Sequence, residues 1–376
     1  MEQVWANRAA SAEAAVTRRH LKRLWALPGT QLGVVAWPPA RRDRMFGHWH
    51  YWWQAHLLDC LIDAQLRDPN PERRKRIRRQ IRSHRLRNVG RWINDYYDDM
   101  AWLALALERA SRLVGIDCHR ALDKLTDQFV KAWVPEDGGG IPWRKQDQFF
   151  NAAANGPAGI FLARYGDRLK RAQQMADWID ATLIDPETHL VFDGIKAGSL
   201  SRAQYTYCQG VVLGLETELA ARTGDPRHAP RVYRLVDAVD KEMAPAGVIK
   251  GAGGGDGGLF GGVTARYLAL VATTLPGDSA DDVAARDTAR KLVLSSAQSA
   301  WDYRQTVGGL PVFGPFWDRT AELPSTAGAQ AEFVEGAVTG SEVPERDLSV
   351  QLSGWMLMEA AYNVTADNVS AESSDE

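Results

Sequence analysis

A chain of 376 residues, 45% hydrophobic and 24% charged, has the apolar mass for a large globular core and is neither disordered nor fibrous in composition. Its formal net charge of -2 gives no global pull toward nucleic acid or an anionic membrane. The three cysteines, Cys60, Cys118 and Cys208, are scattered and form no Cys-x-x-Cys pair, which argues against a disulfide framework or a zinc site and suits a reducing compartment.

The first residues, Met1-Glu2-Gln3-Val4-Trp5-Ala6-Asn7-Arg8, lack an apolar h-region, so no signal peptide is visible. By sequence the expected location is cytoplasmic, or the cell envelope or outside if export is non-classical or a leader has been lost. No run approaches the ~18 apolar residues of a membrane span. Apolar residues at i, i+3, i+4 and i+7 predict helices over 3–26, 46–66, 95–115, 118–133, 148–165, 168–184, 203–223, 227–243, 258–274, 280–302 and 347–364. Strand signals are weak and short, at 33–37 and 190–192.

The helices alternate in character. Those at 46–66, 95–110, 148–163, 204–217, 258–273 and 348–362 are apolar nearly all round, and the others carry charge on one face. The apolar set recurs about every 50 residues, the period of a helical-hairpin repeat. Six inner helices alternating with outer ones predict an all-α (α/α)6 barrel, with residues 67–90 supplying the twelfth helix. The expected organisation is one catalytic domain over 1–365 and a polar, disordered tail over 366–376. Gly-rich loops at 138–143, 247–258 and 308–317 flank inner helices, where they can line one mouth of a barrel.

Chemistry concentrates at Asp98 and Asp99, inside the run Trp92-Ile93-Asn94-Asp95-Tyr96-Tyr97-Asp98-Asp99-Met100-Ala101-Trp102. Burying two carboxylates costs several kcal/mol unless they are paired or change protonation. Capping accounts for Asn94 or Asp95, but not for a pair placed a turn further in. Two carboxylates in an aromatic setting are the equipment of a glycoside hydrolase, and adjacent helical positions fit the ~5–5.5 Å spacing of a retaining enzyme better than the wider inverting spacing.

The run Tyr96-Tyr97-Asp98-Asp99-Met100-Ala101-Trp102 resembles the catalytic motif of glycoside hydrolase family 76, the endo-α-1,6-mannanases. Further segments resemble the family in the same order. These are His50–Asp59, Gly138–Trp143 with Asn151–Asn155, Leu190–Gly194 with Tyr205–Gly210, and Leu259–Tyr267, so the likeness spans about residues 45–363. It implies an (α/α)6 barrel, a retaining mechanism and a polymer of α-1,6-linked mannose as substrate, either a mannan or a mannose-containing lipoglycan. By the same resemblance Asp98 matches the nucleophile and Asp99 the general acid/base, while Asp193 and Tyr207 match positions that hold sugar hydroxyls.

Other residues are candidate substrate contacts. Gln209 beside Gly210 suits a surface facing a ligand, and Asn151 and Asn155 share one helix face, although Asn151 equally suits an N-cap. Trp143 and Trp317, in Gly/Pro-rich loops, offer flat rings for stacking. Trp52, Trp53 and Trp102 sit on inner helices, where core packing competes with sugar binding. His56 stands where the family often has Asn, and reads either as a sugar donor or as a core histidine. His48, His50 and His56 lack zinc-site spacing, so no metal or cofactor is expected.

The densest charge lies in Arg73–Arg87, which reads first as a solvated helix and second as a weak contact to an anionic envelope surface. Nucleic acid is not an expected partner, and the chain is expected to be a monomer. Alternatives to hydrolysis are transfer of the glycosyl intermediate to another sugar and a non-catalytic glycan-binding role.

Overall fold

The computed structural model describes residues 1–135 and 139–372, with side chains through residue 366. Its thirteen α-helices among these residues are α1 (Glu2–His20), α2 (Arg41–Arg44), α3 (Tyr51–Arg67), α4 (Pro71–Arg87), α5 (Tyr97–Val114), α6 (His119–Lys131), α7 (Ala152–Arg164), α8 (Leu169–Thr182), α9 (Thr206–Thr223), α10 (His228–Ala238), α11 (Phe260–Thr274), α12 (Ala280–Asp302) and α13 (Leu348–Glu372). The short strands form small antiparallel ladders only. Among the described residues no helix is long and apolar enough to cross a membrane.

All eleven expected helices are present, and α4 supplies the twelfth within 67–90. The differences lie at the ends. The helix expected over 3–26 stops at His20, because Leu21–Lys22 pairs with Leu32–Gly33 and Trp25 and Ala26 take positive φ before Pro28-Gly29. The helix expected from 148 starts at Ala152, since Phe149–Asn151 is drawn into a ladder with Gly194–Lys196. The expected strand at 190–192 is reduced to a single bridge between Ile184 and Val191. The last helix runs to Glu372, past Ala366 where a disordered tail was expected to begin. Residues 373–376 and Gly138 of the first Gly-rich loop lie outside the described residues.

The chain forms two compact units. The first contains residues 1–90, 246–266 and 292–376, and the second residues 91–245 and 267–291. In the first, α1 packs along α13, and α3 lies against α4 and α13. Charges inside it are paired: Arg67 donates to Glu13 (2.9 Å) and to Glu359 (3.0 Å), and Arg266 pairs with Asp63 and Asp59. In the second, α7 packs against α5, α8 and α9. Every residue from Ala152 to Ala163 is buried, which explains why this segment reads as apolar all round. Glycine allows the close approach of α9: a Cβ at Gly156 would lie 2.5 Å from Val211, and one at Gly159 would lie 2.9 Å from Leu215.

Candidate active site

Helix α5 begins at Tyr97, so Asp98 and Asp99 occupy its first turn rather than a turn further in. Its N-cap position, Tyr96, makes no side-chain cap, and the two carboxylates complement the positive end of the helix macrodipole. Both are partly accessible, and Met100 behind them is buried. Backbone bonds tie this turn to the segment 143–149. Tyr97 N–H donates to Trp143 O (2.8 Å), Lys145 N–H to Asp95 O (2.9 Å), and Trp143 N–H to Phe149 O (2.7 Å). Trp143 is thereby fixed, and its indole Nε1 donates to Asp98 Oδ2 at 2.8 Å. The other oxygen, Asp98 Oδ1, accepts the Asp99 backbone N–H at 2.8 Å. Asp99 Oδ2 accepts the Asn94 side-chain amide at 2.5 Å, and Asn94 Oδ1 accepts the Tyr96 N–H (3.0 Å). The two neighbours thus sit in different hydrogen-bond environments.

Asp193 and Tyr207 join this setting. The main chain at Asp193 is clamped, its N–H donating to Ala203 O (2.7 Å) and its carbonyl accepting from Ala152 N–H (2.9 Å). Gly194 begins the strand paired with Phe149–Asn151, where a Cβ would collide with Phe150 O, so this close approach requires glycine. Burial pushes the Asp193 carboxyl up to about 6. The Tyr207 hydroxyl is also raised, chiefly by burial, with the charges of Asp193 and Asp98 adding to it. That coupling places Asp98, Asp193 and Tyr207 in one electrostatic neighbourhood.

Three of the candidate contacts hold backbone in this structure. Gln209, fully buried, accepts the Val191 N–H (2.7 Å) and donates to Val191 O (3.0 Å) and Tyr205 O (2.9 Å), so its amide holds the 190–193 segment. Asn155 does the same for Ile141, accepting its N–H (2.8 Å) and donating to its carbonyl (2.9 Å). Asn151 caps α7 through the Ala154 N–H (3.0 Å). Gln209 and Asn155 thereby anchor the segments that lead to Asp193 and Trp143. Trp102 is buried in α5.

The first unit holds the remaining candidates. Trp53 is fully buried, and its indole donates to Asp256 Oδ1 (2.8 Å), as does that of Trp52 (2.9 Å). His56 is buried against the edge of Trp52, and burial lowers it to about 3, so it is neutral at ordinary pH. His56 is thus a buried, neutral histidine. Trp317 is also buried, its ring covering Gly261, which leaves Trp143 as the half-buried tryptophan of the two loops. The glycine-rich segment at 251–258 is not a loose loop: Gly255 N–H donates to Asp347 (2.9 Å), and Asp256 accepts the Val338 N–H (2.7 Å). Among the described residues no group of three His, Cys, Asp or Glu side chains is set to hold a metal ion.

The model of glycosyl hydrolase family 76 matches residues 8–353. The chain belongs to glycosyl hydrolase family 76. This family 76 chain is therefore a glycoside hydrolase, and its fold class is the all-α (α/α)6 barrel of the family's structures. It resembles the α-1,6-mannanase of Salegentibacter sp. HEL1_6 at 27% identity and a TM-score of 0.79, over 96% of this chain and 99% of that one. An inactive variant of that mannanase, with two consecutive aspartates changed to asparagine and α-1,6-mannotriose bound, matches at 27% identity, the same coverage and a TM-score of 0.78. Dfg5 from Chaetomium thermophilum, in complex with glucosamine, shares the fold at 16% identity and a TM-score of 0.72, over 98% of this chain and 92% of that one. No curated protein matches the chain.

Two residues of the family 76 chain stand out only in three dimensions. Asn94 orients Asp99; its sequence signal is an Asx turn, Asn followed two residues later by the N–H it accepts. Asp256 collects two indole N–H groups, and burial raises it to about 6. Nothing in a glycine-rich run pointed to it.

Proposed function

We propose that this family 76 enzyme cleaves α-1,6-mannosidic bonds within a mannan or mannose-containing lipoglycan, with retention of configuration, residues 1–365 acting as one catalytic domain. Asp98 is the nucleophile and Asp99 the general acid/base. The observation that carries the reading is the pair of N–H donors held on Asp98. Asp98 has an N–H donor on each oxygen, from Trp143 and from its neighbour's backbone, which stabilises and aims a carboxylate. Asp99 takes the neutral amide of Asn94, a partner that tolerates both protonation states.

In the first step Asp98 attacks the anomeric carbon as the glycosidic bond breaks, and Asp99 transfers its proton to the departing oxygen. In the second, Asp99 takes a proton from water, whose oxygen displaces Asp98 from the same carbon. Asp193 and Tyr207 accept and donate hydrogen bonds to sugar hydroxyls beside that carbon, and the Trp143 ring forms the apolar wall. The inactive double-asparagine variant of the Salegentibacter mannanase, which holds α-1,6-mannotriose, supports the assignment.

The test is turnover of linear α-1,6-mannan by Asp98→Asn and Asp99→Asn, with the anomer of the wild-type product followed by NMR. Each variant is expected to lose at least about a thousandfold in kcat while still binding the oligosaccharide, and the wild type to release the α-anomer first. Unchanged turnover in both variants, or a β-anomer as first product, overturns the reading. Disaccharide-transfer products that dominate on adding a mannose acceptor would make the enzyme a transglycosylase using the same pair.

A further inference from the structure

The chain's charge is segregated within the first unit. Residues 18–47 hold seven Lys and Arg against Asp43 alone, and residues 71–87 hold nine against Glu72 alone, leaving 29 basic against 45 acidic residues in the rest of the chain. The two segments are joined in space. Arg87 donates to the carbonyls of Phe46 (2.8 Å) and Gly47 (3.0 Å), and Ser83 accepts the Gln31 N–H (2.7 Å). Asp43 is buried and spent on the Ala40 N–H, so it does not offset the charge outside.

Part of the basic run on α4 is consumed internally. Arg73 grips Glu13 and Asp68, and Arg76 reaches Glu13 at 3.5 Å. The remainder faces outward. Arg18, Arg23, Arg44 and Arg82 are exposed, Arg79 is half-exposed, and among the described residues none of the five is ion-paired. Arg18 and Lys22 line two neighbouring clefts. One, of about 620 Å³, is shared with Arg44 and Trp37, and the other, of about 610 Å³, with Arg23 and Arg79.

The same segment, residues 18–47, presents apolar side chains to water. Trp25 is 48% exposed, Leu27 43% and Met45 66%. Trp25 is held out by its backbone, at φ 48°, with Ala26 following at φ 60°. A strained, left-handed conformation at a non-glycine residue needs the surrounding structure to enforce it. Its indole N–H is tied to Met45 O at 3.0 Å, which fixes the ring beside Met45. An exposed tryptophan, leucine and methionine in a segment that also carries the exposed Arg23 and Arg44 match the boundary of an anionic bilayer, where phosphate meets guanidinium and the ring settles at headgroup depth. A polynucleotide would use the charges but leave the methionine and leucine in water.

We infer that residues 18–47 and 71–87 form a docking surface by which this protein binds the phosphate headgroups of an anionic lipid bilayer, with Trp25, Leu27 and Met45 entering the headgroup layer. The surface lies wholly in the first unit and involves no residue assigned to catalysis.

Co-sedimentation of the full chain with vesicles of phosphatidylcholine alone, or mixed with phosphatidylglycerol, tests it without reference to activity. Binding is expected only to the phosphatidylglycerol vesicles and is expected to be lost at high salt. The triple variant Arg18→Glu, Arg23→Glu, Arg79→Glu should partition at least about a hundredfold more weakly. Trp25→Ser should weaken binding about tenfold with the salt dependence unchanged. Both variants should keep the wild-type far-ultraviolet circular dichroism and the wild-type rate on soluble α-1,6-mannan. Equal binding to both vesicle types, no binding to either, an unaltered Trp25→Ser, or displacement of the protein from vesicles by duplex DNA at equal phosphate would each overturn the inference.

Discussion

Asp98 illustrates how a single side chain acquires its chemistry from residues far along the chain. Trp143 is 45 residues away, yet its indole N–H sits on Asp98 Oδ2 because two backbone bonds lock 143–149 to the head of α5. Asp193 is another such residue, its carboxyl raised to about 6 by burial. As pH falls through about 6 the group gains a proton and ceases to be a full acceptor for a sugar hydroxyl. The expected outcome is a kcat/KM on α-1,6-mannan that declines below pH 6, with that limb absent in Asp193→Asn at a lower plateau. A limb that persists in the variant assigns it to another group. The linked effect on stability has the opposite sense. A folded-state value above the ordinary aspartate value of 3.8 adds stability that is full below 3.8 and is lost as pH rises through about 6.

At the scale of elements, the buried amides do more than the sequence reveals. Asn155 and Gln209 are short-range polar residues on apolar helices, and residue type alone does not separate a sugar contact from a backbone brace. Their partners, Ile141 and Val191, lie 14 and 18 residues away, and only the fold brings them within reach. The glycines of α7 carry a comparable constraint. Gly156→Leu would drive a side chain into Val211 and spread α7 from α9. We expect a loss of about 1–3 kcal/mol, read as a lower midpoint in urea unfolding, together with reduced turnover, since Asn151 at the head of α7 adjoins the main chain of Asp193. A midpoint within error of the wild type would mean that the two helices do not meet as described.

The whole molecule rests on buried charge as well as on apolar packing. Glu13 from α1, Arg67 from α3 and Glu359 from α13 form one buried chain of ion pairs, and the indole of Trp355 donates to Glu359 (2.9 Å). Arg67→Met removes the shared cation and leaves the buried Glu359 without its ion pair, while Glu13 keeps Arg73. The expected cost is about 3–5 kcal/mol by denaturant unfolding, because an unpaired buried charge keeps its desolvation penalty. A cost below about 1 kcal/mol would show that solvent already reaches the cluster. None of this network was legible beforehand, since its members are separated by 54 and 292 residues. The twelve long helices were legible, because a helix with one buried stripe, or with burial all round, writes its period into adjacent residues. Their ends were less so: Phe149–Asn151 is drawn out of a helical pattern by a strand more than 40 residues later.

The sequence by itself determined the helical repeat, the adjacency of Asp98 and Asp99 and the family, since periodicity and contiguous motifs are local properties of the chain. The tertiary structure decided which polar residues stand at the site and which support it. It drew Trp143 onto Asp98, turned Gln209 and Asn155 inward as braces, neutralised His56 by burial and left Trp25 exposed. Each of those outcomes depends on hydrogen bonding or desolvation by distant residues, and neither is encoded in local spacing.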